Sequence, residues 1–288
     1  MKQRTCIAVL CLLALPALGL AQSYLLQGPP AEKGRLTLRY FWPQKGIAER
    51  EGPQFLSGLF DLSASFRAGQ RWNVIVAVPY LNFKRTYTNW EDIRVSESAR
   101  GLGNASIAVE MLLDKTEGRH TGLTAGVYLP TLARRDRSDQ YWDDPYYQLA
   151  EIGVAADYAE FPKALDATTP FARIAHYRDW KNGWHAGLEG GAFLMLPRGG
   201  DLRPLYLHYG AAAGKSAGPI RLQAEVRGSV HIAGFVDEVY IRLNHQVALG
   251  AEWGQGRLRP GVFYTMFLDR WSREDSSGAL CLRLQYEL

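Results

Sequence analysis

The chain has 288 residues, with 33 Lys and Arg against 29 Asp and Glu and a formal net charge of +4. That near-balance excludes the basic stripe of a nucleic-acid binder. The three cysteines, Cys6, Cys11 and Cys281, exclude a disulfide-stapled scaffold and a Cys-based zinc site.

Residues 1–21 read as a secretory leader. Lys2 and Arg4 open it, Ile7 to Leu15 is apolar, Pro16 ends the run, and Gly19-Leu20-Ala21 offers a small-x-small cleavage site. The run is too short for a membrane-spanning helix. Leu10 before Cys11 is larger than a lipidation site takes. Cleavage removes Lys2, Arg4, Cys6 and Cys11, leaving a net charge of +2 and Cys281 alone. Residues 22–33 read as a flexible lead-in, and 34–288 as one domain. No later apolar stretch approaches the roughly 20 residues that a membrane helix needs.

Two-residue alternation then recurs to the end of the chain, placing apolar side chains on one face of each strand and polar ones on the other. Leu36, Leu38, Tyr40 and Trp42 share a face against Thr37 and Arg39. Leu56 to Phe66 opposes Ser57, Asp61, Ser63, Ser65 and Arg67. Trp72 to Tyr80 follows, then Ala105 to Met111 against Ser106 and Glu110, and Leu123 to Leu129 against Thr124 and Tyr128. Ile152 to Tyr158 opposes Glu151 and Asp157. Residues 170–178 show no clear period. Trp184 to Leu196 opposes His185 and Glu189, and Leu205 to Ala211 follows. In the clearest run, Ile220, Leu222, Ala224, Val226 and Val230 oppose Arg221, Gln223, Glu225, Arg227 and Ser229. Val239 to Leu249 opposes Glu238, Tyr240, Arg242, Asn244 and Gln246. Val262 to Leu268 precedes the terminal strand, where Leu280, Leu282, Leu284, Tyr286 and Leu288 oppose Cys281, Arg283, Gln285 and Glu287.

The longer runs are ten to fourteen residues long. A tilted membrane-spanning strand needs about 9–11 residues, whereas soluble strands cluster near 5–6. Tight connectors at 68–70, 114–118, 215–218 and 254–256 contrast with long polar ones at 43–53, 83–103, 131–146, 231–237 and 269–278. Short turns at one end and long loops at the other are the pattern of an outer-membrane barrel. The long loops read as extracellular. Thirteen candidate strands are present, and bacterial barrels use an even number. The expectation is twelve, with fourteen as the alternative; either 170–178 is not a full strand or one nearby has been missed.

Periodicity does not say which face points outward. Lipid outside is favoured by charges on the polar face opposed by small Gly and Ala. It is also favoured by aromatics near strand ends (Trp42, Trp72, Tyr80, Tyr158, Trp184, Trp253 and Tyr286), which match interfacial girdles. The predicted fold is therefore all-β: a transmembrane antiparallel up-and-down barrel in the outer membrane of a Gram-negative bacterium. Its expected partners are outer-membrane lipid, a small solute, and the barrel assembly machinery through the terminal strand 279–288.

The stretch Val78 to Thr131 runs V-P-Y at 78–80, G-L-G-N-A-S-I-A-V-E-M-L-L at 101–113 and G-L-T-A-G-V-Y-L-P-T at 122–131. In this order it resembles the outer-membrane barrels of the "MetA-pathway of phenol degradation" type. Those show a V-P-Y strand end, a G-x-G-D strand start and a closing L-P-T; Asn104 here takes the place of the Asp, and Leu132 that of a following Gly. The resemblance implies a transporter-like barrel concerned with uptake of hydrophobic or aromatic compounds. Read structurally, Pro79 lacks an N–H and belongs at a strand end or bulge, and Gly101 and Gly103 let the chain re-enter a strand.

Expected lumen and selectivity residues are Arg221, Glu225, Arg227, Arg242, Glu189, Arg67, Glu110 and Arg283, whose mixed signs favour mutual pairing in a narrow barrel. Phe41, Tyr128, Phe193, Phe263 and Phe267 are expected inward as an apolar track. No cofactor or metal is expected. His185 and Glu189 lie roughly 13 Å apart along a strand at ~3.3 Å per residue, too far for a ligand pair. No Ser-His pairing at recognisable spacing points to catalysis. His245 falls on the apolar face in mid-strand, and Cys281 on the polar face as an inert thiol. The expected function is passive passage or binding of a small hydrophobic or aromatic solute. A non-transporting surface barrel with partner-binding loops is the first alternative, and a barrel hydrolase the second.

Overall fold

Long alternating ribbons with no stapling covalent bond must satisfy their backbone groups sideways, and a ring does so without leaving an edge. The computed structural model describes residues 34–45, 56–88, 94–131, 167–197, 203–233, 243–254, 256–269, 273 and 276–288. The leader, the lead-in 22–33, Arg242, Tyr158 and the candidate strand at 152–158 lie outside these residues.

The strand segments are β1 (Gly34–Lys45), β2 (Gly58–Arg67), β3 (Trp72–Thr88), β4 (Arg94–Leu102), β5 (Ser106–Thr116), β6 (Arg119–Tyr128) and β7 (Ala167–Asp179). They continue as β8 (Trp184–Leu194), β9 (Leu196–Pro197), β10 (Leu205–Ala217), β11 (Ile220–Ala233), β12 (Leu243–Trp253), β13 (Leu258–Phe267) and β14 (Ser276–Glu287). All neighbouring pairs are antiparallel, and β1 pairs with both β2 and β14, which closes the ring. β4 and β5 both lie against β3, with a one-residue slip in register between them, so together they form one bulged strand. β9 continues the pairing of β8 with β7. The fourteen segments thus make a twelve-stranded up-and-down barrel.

The turns after β2, β5, β7, β10 and β12 are short and all lie at one end. Gly118 (φ +68°) and Gly218 (φ +59°) occupy the left-handed region there, which a residue with a Cβ enters only at a cost. The remaining strand ends lie at the opposite end, as the alternation of short and long connectors predicts.

Two expectations change. Residues 170–178 are part of a full strand, β7, paired with β6 and β8, so the count of twelve is reached with this piece and without 152–158. Its period is obscured because the inner face carries the aromatics Phe171 and Tyr177 while the outer face carries His176 and Arg178. The turn at 180–183 that follows it belongs with the tight connectors. Most of the expected loop 83–103 is instead a hairpin, with β3 running to Thr88 and β4 starting at Arg94. The sequence there, F-K-R-T-Y-T at 83–88 and R-V-S-E-S-A-R-G-L at 94–102, carries no sustained apolar alternation.

The sidedness matches the lipid-outside reading. Leu36, Leu38, Leu62, Leu123, Leu222, Leu249, Leu282 and Leu284 are exposed, and Leu188 is 62% exposed. Arg39, Asp61, Glu110, Glu225, Arg227 and Arg283 are buried. This reverses the ordinary rule for water-soluble domains and follows from acyl chains as the outer solvent. Of the expected girdle aromatics, Trp72, Trp184, Trp253 and Tyr286 stand exposed near the short-turn end. No helix among the described residues is long and apolar enough to cross a membrane; the strands cross it.

The family-like motif at 78–131 forms a joint where β3, the β4–β5 bulge and the end of β6 meet. Gly103 N–H donates to Pro79 O (2.8 Å), Leu129 N–H to Ala105 O (2.7 Å) and Ala105 N–H to Thr131 Oγ1 (2.8 Å), while the Thr131 hydroxyl donates to Gly103 O (2.6 Å). The short motifs therefore have a structural role: they hold a bulge in place.

Candidate functional site

The lumen wall is built from inward-facing residues that the registers bring level with one another. One row runs Asp61, Arg39, Arg283, Gly261, Glu252, Arg221 across β2, β1, β14, β13, β12 and β11. Arg39 Nε donates to Asp61 Oδ2 (3.0 Å), and the two form a buried ion pair. Arg283 faces Arg39 but turns the other way. It crosses the side-chain-free position Gly261 to pair with Glu252, and it lies over the Phe263 ring (4.6 Å). Two like charges stand opposite each other without conflict because each is drawn to its own carboxylate. Such buried pairs return little net stability, yet losing one partner is costly. Toward the short-turn end, Arg259 joins Glu252 (4.0 Å) and Glu287 (3.3 Å), and Arg35 joins Glu287 (3.8 Å).

A second group lies on β7, β8 and β11. Arg221 Nε donates to His185 Nε2 (3.2 Å), approaches Asp179 (3.8 Å) and covers the Tyr177 ring (5.5 Å); Tyr177 OH donates to Asp179 (2.8 Å). His185 thus meets Arg221, not the Glu189 that follows it on its own strand. Higher up, Arg227 Nε donates to Gln246 Oε1 (3.0 Å), and the register places Gly210 between Arg227 and Glu189. Asn73 Nδ2 donates to Glu110 Oε2 (2.8 Å), and Glu110 folds over Gly122.

Of the expected lumen charges, Glu189, Glu110, Glu225, Arg227 and Arg283 are buried inside, and Arg221 is half-buried there. Arg67 is different: its Nε donates to Gly69 O (2.5 Å) in the adjoining turn, so it caps a strand end. All five expected aromatics are buried inside, but they do not form one track. Phe41 and Phe263 flank Cys281 on β1 and β13, and Phe267 sits by Gln246. Tyr128 and Phe193 lie around the ring in a separate group with Phe171 and Tyr206. There Phe193 stacks on Tyr206 (4.8 Å, 10°), Tyr128 meets Phe171 (5.2 Å), and His208 and His231 close on the two stacked rings (4.2 and 5.3 Å). Ala167 and Met195 complete this cluster. In a ring of twelve, β8 stands diametrically opposite β1.

Sequence reasoning left Arg39, Asp61, Glu252, Tyr177 and Tyr206 out of the site. Strict parity from Leu205 and Leu207 would have found Tyr206, whereas the charged rows required the registers. His245 is also corrected. It lies three residues into β12, beside the long-loop end, where its Nδ1 meets Asp269 Oδ1 (3.0 Å) and its ring faces Tyr209 (5.9 Å).

No protein-family model matches the chain, and no curated protein matches it. The resemblance over 78–131 therefore rests on its motifs alone. Among solved structures, the fold is similar to the COG4313 outer membrane channel from Pseudomonas putida F1, with a TM-score of 0.55 at 11% identity over 90% of this chain and 95% of that one. It is also similar to the NanC porin, with a TM-score of 0.50 at 7% identity over 88% of this chain and all of that one. The closed ring, the outward apolar belt and these likenesses lead to one conclusion: the chain is a twelve-stranded antiparallel β-barrel of the bacterial outer membrane.

Proposed function

We propose that the barrel gives passive passage or a binding place to a small solute of hydrophobic or aromatic character. The stacked group of Tyr128, Phe171, Phe193 and Tyr206 inside the lumen carries this reading. Offset aromatic contacts are worth about 0.5–1.5 kcal/mol each beyond area burial, and they suit a planar ring. The ion-paired rows on the facing wall leave no strong field of either sign, which favours a neutral or singly charged solute. Arg39, Arg227 and Tyr206 have almost no exposed surface, so the solute is small and side chains move as it passes. A channel and a porin as structural likenesses agree with passage.

Reconstitution of the barrel in planar bilayers, with phenol and benzoate added to one side, tests this. Expected are small current steps that the aromatic solute partly blocks, and faster uptake into barrel-containing liposomes. Neither current nor uptake would leave a surface barrel as the better reading.

A further inference from the structure

Around most of the barrel the outward face stays apolar or aromatic down to the short turns, as at Trp72, Trp184, Ile220, Trp253, Leu258 and Tyr286. Across β5, β6 and β7 it does not. The last two outward levels there are Asp114, Thr121 and His176, then Thr116, Arg119 and Arg178. Thr121 Oγ1 and His176 Nδ1 are hydrogen-bonded (2.9 Å). Below them Arg119 and Arg178 are registered partners, both exposed.

Like charges directly opposite on antiparallel strands repel. Arg119 is engaged by Asp114 (2.7 Å). The Arg178 guanidinium carbon lies over the Trp180 ring (5.2 Å). A cavity of about 570 Å³ lies at this spot, between the turns formed by 116–119 and 178–181. Its lining adds Lys181 to the two arginines, and Glu117 and Asp179 to the acidic side. The exposed Leu113 and Leu123 begin the apolar belt immediately above.

We propose that this notch binds one glycerophospholipid of the periplasmic leaflet. The phosphate bridges Arg119 and Arg178, the headgroup ammonium turns toward Glu117, and the acyl chains run up over Leu113 and Leu123. Guanidinium matches phosphate in a forked geometry, and an indole beside it is at home at headgroup depth. Continuity with the apolar belt selects a lipid over free phosphate.

The test is native mass spectrometry of the whole barrel in neutral detergent with dioleoyl-phosphatidylethanolamine. One bound lipid is expected on the wild type. The double substitution Arg119→Gln with Arg178→Gln should lower the bound fraction at least ten-fold, since both charge-assisted contacts to the phosphate are lost. Lys215→Gln removes another outward cation near the same end, beside Trp184, and should change nothing. Dioleoylglycerol should not bind, and inorganic phosphate at equal concentration should not displace the lipid. Heat-modifiable gel migration verifies folding; if the double variant fails it, Arg178→Gln alone gives the same readout. Unchanged lipid binding in the variant overturns the proposal. So does equal loss in Lys215→Gln, equal binding of dioleoylglycerol, or displacement by inorganic phosphate.

Discussion

Arg39 and Asp61 are registered partners on β1 and β2, and their side chains meet inside the barrel with almost no exposed surface on either. Nothing about their spacing of 22 residues along the chain announces the pair; the β1–β2 hairpin register creates it. We expect Arg39→Leu or Asp61→Leu alone to destabilise the barrel by about 3 kcal/mol, because an uncompensated buried charge remains. The double variant should recover most of that loss. Denaturant midpoints in lipid vesicles measure it, and a double variant as unstable as the worse single would refute the account.

Gly250 and Phe263 are also registered partners, and the ring lies over the glycine. A Cβ at 250 would intrude on the ring and on the Val262 carbonyl. Gly250→Ala should therefore cost about 1–3 kcal/mol through overpacking. Adding Phe263→Ala should relieve part of it, seen as coupling in a double-mutant cycle.

Thr131 accepts from Ala105 and donates to Gly103, bracing the β4–β5 bulge. Thr131→Val keeps the shape and removes both bonds. We expect a loss of about 1 kcal/mol at this exposed joint, with Thr131→Ser retaining most of the stability. Equal behaviour of Val and Ser would show that the clasp contributes nothing.

Arg203 precedes β10 at the long-loop end, and Lys181 lies in the short turn after β7. In intact cells Arg203→Cys should react with a membrane-impermeant maleimide. Lys181→Cys should react only after the outer membrane is permeabilised. The native thiol, Cys281, is fully buried and gives little background. Labelling of Lys181→Cys in intact cells would invert the orientation.

Phe193 touches both Tyr206 and His208. Phe193→Ala should weaken block of the current by phenol about ten-fold or less, in line with losing one or two aromatic contacts, while leaving the salt current in place. Block that persists undiminished would move the solute away from this wall.

Two-residue alternation determined which side chains share a strand face, and the charges on one face with the aromatics at the strand ends then assigned lipid to the other. Those properties are local: successive side chains on a strand point to opposite faces whatever the neighbours are. Alternation failed at β7, where Tyr177 points in and Arg178 out, because lumen and headgroup chemistry there mimic each other. It also could not pair Arg283 with Glu252 across Gly261, divide the aromatics between two walls, or set Arg119 beside Arg178. Those relationships depend on register and ring closure, which join residues tens to hundreds of positions apart, and only the tertiary structure decides them.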